Sequence, residues 1–398
     1  MTSTVPSRFH ALDALRAAMM FLGIYLHSVA AYTPEAGWPW KQAEQTSTLL
    51  WSLSVIHVFR MPIFYAMAGF FTALLLARYG MRRAAWNRCM RIVVPFVVGW
   101  IVVWPMVMFL AGLGTYGLER TLAGFASGRV FDYAHPLHLW FLEYLIVLYV
   151  LAAIAVAVVP LVLSERARAA VLPAFRAIVM SPWAPPLLAV PSFAAQLLMP
   201  RPWIEDPPGF IPVFRIVAVY AVPFVFGWLL FLQNDLLETI ARRAWVHAGL
   251  AVVASAAYLM SYGLPFDRAV LFYVIRGAHA LAEWCLILGV AGLFLRYLGG
   301  HSPYRRYLCD SSYFLYIAHM PVILVFQLLL ENIALPPIAK MAIVLAATVA
   351  VLMPVYRFAV RPTFVGAVLN GRRYPSTIAV VEPGPHVVED PRAQDAVH

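Results

Sequence analysis

Charge is what this 398-residue chain has least of. Asp, Glu, Lys and Arg together make up 12% of it, about half the ~25% usual for a soluble domain. Apolar residues make up 63%. So little polar surface cannot cover a globule in water, which excludes a large soluble enzyme, and so much apolar sequence excludes a disordered chain. Lysine is nearly missing: of 29 basic residues only Lys41 and Lys340 are not arginine. Cysteine is scarce too. Cys89, Cys285 and Cys309 are odd in number and form no CxxC pair, so neither a disulfide framework nor a zinc site is expected. The chain also has no Walker loop, no GxSxG elbow, no HExxH and no GxGxxG after a strand. No metal and no permanently bound cofactor are expected.

What remains is long apolar runs. A spanning helix needs roughly 17–25 mostly apolar residues, and that ruler gives ten candidates: 11–33, 50–77, 92–113, 137–163, 183–200, 213–232, 246–262, 269–295, 311–330 and 338–358. The expected fold is an all-α, polytopic membrane helix bundle of about ten transmembrane helices, with one domain over 1–360 and a polar, mostly disordered tail over 361–398. The first run contains Asp13, Arg16 and His27, unlike the uninterrupted core of a cleavable signal, so a retained first helix is expected. The net charge of +10 would suit nucleic acid, but the arginines lie in short clusters between apolar runs, as the positive-inside bias requires. Alternate loops carry nineteen basic residues against six, which puts both termini in the cytoplasm. The expected partner is the lipid bilayer, not nucleic acid.

An ionisable residue at mid-membrane costs about 2.5–3.5 kcal/mol on insertion scales, so each is a functional candidate. Asp13 and Arg16 are three apart and share a helix face. Arg16 and His27 are eleven apart, about three turns and 16 Å along the same face. On the second span His57 and Arg60 share a face near its outer end, where Arg60 would also serve as a plain snorkelling anchor. His138, Trp140 and Glu143 open the fourth span. Arg276, His279 and Glu283 form a polar stripe on the eighth, suited to structural pairing as well as to chemistry. His319 precedes Pro321 on the ninth. The segment after the second span, read as a cytoplasmic loop, sets Arg88 and Arg91 three apart, and paired guanidinium forks suit phosphate oxygens. Histidine is the general base nearest neutrality, and His57 or His138 would be the alternative base to His27. Glu143, Glu283 and His319 are the candidates to orient His27.

Three segments together resemble the acyltransferase-3 family of integral membrane acyltransferases. They are Leu12-Asp13-Ala-Leu-Arg16 with His27 eleven residues on, Arg88-x-x-Arg91-Ile-x-x-Pro95, and Ser312-Tyr-Phe-Leu-Tyr-Ile-Ala-His319-Met-Pro321. Leu22-Gly23-Ile24, Ile56-His57-Val-Phe59-Arg60-Met61, Ala68-Gly69-Phe70-Phe71 and His138-Leu-Trp140-Phe-Leu142 bring the likeness nearest to its glucan-modifying members. It extends over essentially all ten spans. Three positions depart from the usual pattern, Ala68 for serine and Ala14 and Ala17 for glycine, and none removes an ionisable group.

The resemblance implies an enzyme of the bacterial inner membrane that moves an acyl group, succinyl from succinyl-CoA, to hydroxyls of periplasmic osmoregulated glucan. It also implies that Asp13, Arg16 and His27 are catalytic, that Arg16, Arg88 and Arg91 hold acyl-CoA, and that His57, Arg60, His138, Trp140, Glu143, Arg276, His279, Glu283 and His319 support the acceptor side. The alternatives are an O-acetyltransferase of another exported glycan and, from another class, a secondary transporter. The transporter is disfavoured because the charges crowd spans one and two without counterparts in six and seven.

Overall fold

A computed structural model describes residues 9–34, 38, 40–201 and 203–377, and among these there is no strand. Fourteen α-helices follow one another: α1 (His10–Ala30), α2 (Leu50–Arg88), α3 (Val94–Tyr116), α4 (Leu118–Ala126), α5 (Trp140–Val162), α6 (Glu165–Met180), α7 (Ala184–Gln196), α8 (Phe214–Leu232), α9 (Leu236–Arg242), α10 (Ala244–Ser261), α11 (Arg268–Tyr297), α12 (Pro303–Leu329), α13 (Pro337–Val355) and α14 (Phe364–Asn370).

Eight continuous helical stretches among the described residues are long and apolar enough to cross a bilayer. The longest, Leu50–Tyr116, has 67 residues, about 100 Å of helix against a hydrocarbon core of about 30 Å. That is long enough for two crossings. The backbone leaves helical geometry at Gly80 (φ 71°, ψ 174°), and a π turn, Cys89–Val93, joins α2 to α3. Nine long helices result among the described residues, enough for a multi-pass membrane protein. The outer faces of α3 and α10 are exposed valine and isoleucine (Val98, Ile101, Val252, Val253), and exposed Trp51, Trp86 and Trp245 sit at helix ends, as at a lipid interface.

The span expected over 183–200 is realised differently. α7 has 13 residues, about 20 Å, too short to cross alone. Its C-terminal carbonyls and the irregular backbone beyond them need donors, because such backbone survives at membrane depth only where protein satisfies it. Arg276 on α11 does this: Nε donates to Gln196 O at 2.7 Å, and Nη2 to Met199 O and Arg201 O, each at 2.5 Å.

The basic stretch 78–95 is helix rather than loop apart from the break at Gly80, and Pro95 shapes its end. Proline has no N–H, so the carbonyl of Arg91 lacks its helical donor. The Tyr313 hydroxyl fills the vacancy at 2.8 Å, tying α12 to the turn. At the chain's other end the first part of the expected tail is folded. A second π turn, Tyr356–Val360, leads through Arg361 to α14, and Tyr374 N donates to Arg361 O at 3.3 Å. The rest of that tail, 378–398, lies outside the described residues.

One apolar core joins α2, α5, α7, α8 and α11, and a second joins α1, α12 and α13. The helices α1, α2 and α12 meet at the seam between them. α2 and α8 approach at paired glycines: a Cβ added at Gly227 would land on Ala66 O, and one at Gly69 on Phe224 O. Both obstacles are backbone, which cannot rotate away. Gly227→Ala should therefore cost about 1–3 kcal/mol or more through forced separation. Gly249→Ala, where nothing lies within 4 Å, should be neutral. Thermal unfolding of the purified protein tests the pair, and equal midpoints would contradict the close approach.

Candidate active site

Three imidazoles from distant parts of the chain converge at the seam. His27 of α1, His138 from the 3-10 turn before α5 and His319 of α12 have ring centroids 4.8 Å (138–319), 5.1 Å (27–319) and 6.0 Å (27–138) apart. Pro321 explains how two of them are held. Without an N–H at Pro321 the carbonyl of Ile317 is free, and His138 Nε2 donates to it at 3.2 Å and to Tyr316 O at 3.0 Å. His319 Nδ1 donates to the same Tyr316 O at 2.6 Å and to Leu315 O at 3.1 Å. The Tyr316 hydroxyl closes the set by donating to His138 O at 2.7 Å.

A neutral imidazole that donates through one nitrogen keeps a lone pair on the other. His138 Nδ1 and His319 Nε2 are thus acceptors, both buried and without a partner among the described residues. His27 differs. The residue is only partly buried, and its ring makes no hydrogen bond among the described residues and lies 5.3 Å from the Trp38 ring. Among the described residues no group of three His, Cys, Asp or Glu side chains has the arrangement to hold a metal ion.

Arg60 lies one turn from His27, its guanidinium against Gly23, with Nε donating to Met19 O at 3.2 Å. It is 7% exposed, so the snorkelling anchor is corrected: the guanidinium points inward against α1, within electrostatic reach of all three rings. His57 is exposed and donates to Leu53 O at 2.9 Å. Asp206, from the segment between α7 and α8, acts electrostatically on both His57 and Arg60. Trp140 stacks on Tyr220 at 5.9 Å, forming an aromatic wall beside them. Sequence reasoning missed Asp206, and it missed Gln327 of α12. Gln327 Oε1 accepts from Trp38 Nε1 at 2.9 Å and its Nε2 donates to His27 O at 3.4 Å. A lone amide in the apolar run of α12 was the available signal.

At the start of α1 the structure brings the expected arginines together. Arg16 pairs with Asp13 at 3.6 Å and stays 42% exposed. Arg91 lies within the fields of Arg16 and Arg88. Arg88 Nη2 donates to Thr72 Oγ1 at 3.1 Å, and its guanidinium sits 4.8 Å over the Tyr149 ring. The Nε atoms of Arg88 and Arg91 are buried and unpartnered among the described residues. Concentrated guanidinium with open valences suits an anionic ligand. This basic end is separated from His27 by the eleven residues of α1, about 16 Å.

The stripe on α11 is not part of either cluster. Arg276 secures the end of α7, as above. Glu283, fully buried, accepts from Ser192 Oγ at 3.3 Å and Gln196 Nε2 at 3.0 Å. His279 packs edge-on to Tyr258 at 5.2 Å and approaches Glu283 only to 3.9 Å. The spacing did put these three on one face, but that face meets α7 and α10. Glu283 therefore does not orient His27. Glu143 is buried with Oε2 unpartnered and hydrogen-bonds to none of the three rings, so of the three residues expected to orient His27 only His319 is beside it.

Comparison with known proteins finds relatives over most of the chain. The chain is 25% identical over 332 residues to "Glucans biosynthesis protein C" of Salmonella paratyphi B (strain ATCC BAA-1250 / SPB7), covering 81% of this chain and 85% of the relative. The proteins of that name from Salmonella dublin and Salmonella enteritidis PT4 match to the same extent. No solved structure matches significantly. Residues 9–357 match the acyltransferase-3 family's Acyltransferase domain, and with that match across nearly the whole chain this multi-pass membrane protein belongs to the acyltransferase-3 family and is an acyltransferase.

Proposed function

We propose that the protein is an inner-membrane O-succinyltransferase that takes succinyl from cytoplasmic succinyl-CoA and places it on hydroxyls of periplasmic glucan. The observation carrying this reading is that one helix, α1, holds Arg16 in the basic cluster and His27 in the imidazole cluster, about 16 Å apart. That separation is comparable to an extended pantetheine arm. Phosphates held at Arg16, Arg88 and Arg91 would present the thioester near His27. The start of α1, the α2–α3 junction, the start of α12 and the residues after α13 all meet at this basic end, which supports both termini lying on one side. The positive-inside bias makes that side cytoplasmic.

In this reaction the acceptor O–H proton passes to His27, the hydroxyl oxygen forms a bond to the thioester carbonyl carbon, and the C–S bond breaks. The CoA thiolate leaves and takes up the proton from His27. Asp13 holds Arg16 in position rather than acting on His27, and Arg60, His57, His138, Trp140 and His319 shape the acceptor side. The glucan acceptor is supported by the name of the relatives, and succinyl by the family resemblance.

Purified protein supplied with succinyl-CoA and glucan should release one CoA thiol per succinyl ester formed, and glucans from a deletion strain should lose their anionic groups. Transfer from acetyl-CoA alone would reassign the acyl group. Absence of thiol release with either donor would refute the reading.

A further inference from the structure

The basic end holds a second cluster of arginines, separate from Arg88 and Arg91. Arg361, just past the second π turn, is 7% exposed, yet its Nε and Nη1 are both buried without a partner among the described residues. It alone among the described arginines leaves two guanidinium nitrogens in that state. Its position is fixed from both sides, by the Tyr307 ring at 5.1 Å and the Tyr374 ring at 5.4 Å. Arg306 and Arg372 face the same Tyr374 ring at 5.6 Å and 4.6 Å, and Arg306 donates to the Tyr374 hydroxyl. The one carboxylate among these groups is Asp310, already engaged by Arg306 Nε at 2.8 Å.

Three guanidiniums around one phenol, with a single paired carboxylate, leave a surplus of positive charge, and Arg361 is buried without its donors satisfied. Such an arrangement is costly unless an anion completes it. The cluster adjoins the first. Arg16 acts on both Asp310 and Arg91, and Gly371, three residues before Tyr374, packs directly on the Arg91 guanidinium. A ligand with two separate phosphate groups would meet both clusters at once.

We infer that Arg361, with Arg306 and Tyr374, forms a second phosphate subsite that takes a phosphate monoester, the ribose 3′-phosphate of acyl-CoA, while Arg88 and Arg91 take the diphosphate. The inference rests on the acyl-CoA reading above. Its chemical basis is that a monoester dianion accepts several N–H donors from guanidinium forks. An anionic phospholipid headgroup offers the same chemistry, so the test includes that source.

The test measures binding of CoA and of dephospho-CoA, which lacks only that monoester, to the full chain in phospholipid-free detergent. Hydrogen bonds to charged groups are strong enough that wild type should bind dephospho-CoA about 10- to 100-fold more weakly than CoA. Arg361→Ala should lose that factor for CoA, leave dephospho-CoA affinity unchanged and so close the gap. Arg88→Ala should weaken both ligands and keep the gap. If Arg361→Ala does not fold, Arg361→Lys should narrow the gap, because it keeps charge and loses the fork. Equal affinity of wild type for the two ligands overturns the subsite, as does a gap that persists in the Arg361 variants. If Arg361→Ala instead lowers only the binding of phosphatidylglycerol vesicles, the occupant is a headgroup and the 3′-phosphate assignment fails. If wild type binds neither CoA form, it is the donor reading that has failed.

Discussion

Replacing His27 with glutamine is expected to lower acyl transfer about 10²- to 10⁴-fold while leaving CoA affinity unchanged. A sugar hydroxyl is a poor nucleophile at neutral pH, and a positioned base contributes a factor of that size. Glutamine can still hydrogen-bond but cannot take the proton. Three imidazoles lie close enough to compete for the role, and their hydrogen bonds separate them. His138 and His319 each have an N–H committed to α12 carbonyls, with Tyr316 O shared between them, and their free nitrogens are buried. His27 alone is partly exposed and uncommitted, so an incoming hydroxyl can reach it without breaking an existing bond. The measurement is a single-turnover rate beside a CoA titration on the same preparation. Near-normal turnover in His27→Gln would move the base to His138 Nδ1 or His319 Nε2. A fall in CoA affinity matching the fall in rate would instead make His27 a donor-binding residue.

The same cluster shows where sequence reading stops. Asp13, Arg16 and His27 were legible because ionisable groups in a run of about twenty apolar residues are costly, and their spacing of three and eleven fixes their common face. The meeting of His27 with His138 and His319 was not. The three are separated by more than a hundred residues each, and they meet only because α12 packs against α1 and also binds the turn that carries His138. Arg276, His279 and Glu283 were legible as one polar face suited to structural pairing, but not as to its partner. Their shared face was correct, but periodicity does not say which neighbour a face meets, and here the neighbour is the short α7 that Arg276 completes. Arg361 was hidden by composition. It follows an apolar run and precedes a proline and a polar tail, a pattern that a plain positive-inside anchor also produces. Its burial between Tyr307 and Tyr374 depends on the chain turning back through α14.

The double variant Arg88→Ala/Arg91→Ala should raise the Kd for CoA about 10²- to 10⁴-fold, because two guanidiniums each contribute charge-assisted hydrogen bonds of about 1.5–3 kcal/mol. Transfer should fall at low donor and recover in part as CoA thioester is raised, since binding rather than chemistry is lost. The structure also says why lysine is a poor substitute. Arg88 is held by Nη2 on Thr72 Oγ1 and by the Tyr149 ring 4.8 Å from its guanidinium carbon. Lysine keeps the charge but loses the fork, so Arg88→Lys should restore only part of the affinity. Arg91 lies at the π turn whose free carbonyl is taken by Tyr313. That bond uses backbone, so truncating the Arg91 side chain leaves the α12 contact intact and folding should survive. A thermal midpoint close to wild type is therefore part of the expected result. An unchanged Kd in a well-folded double variant would remove these arginines from the donor site and leave the Arg361 cluster to hold the phosphates alone.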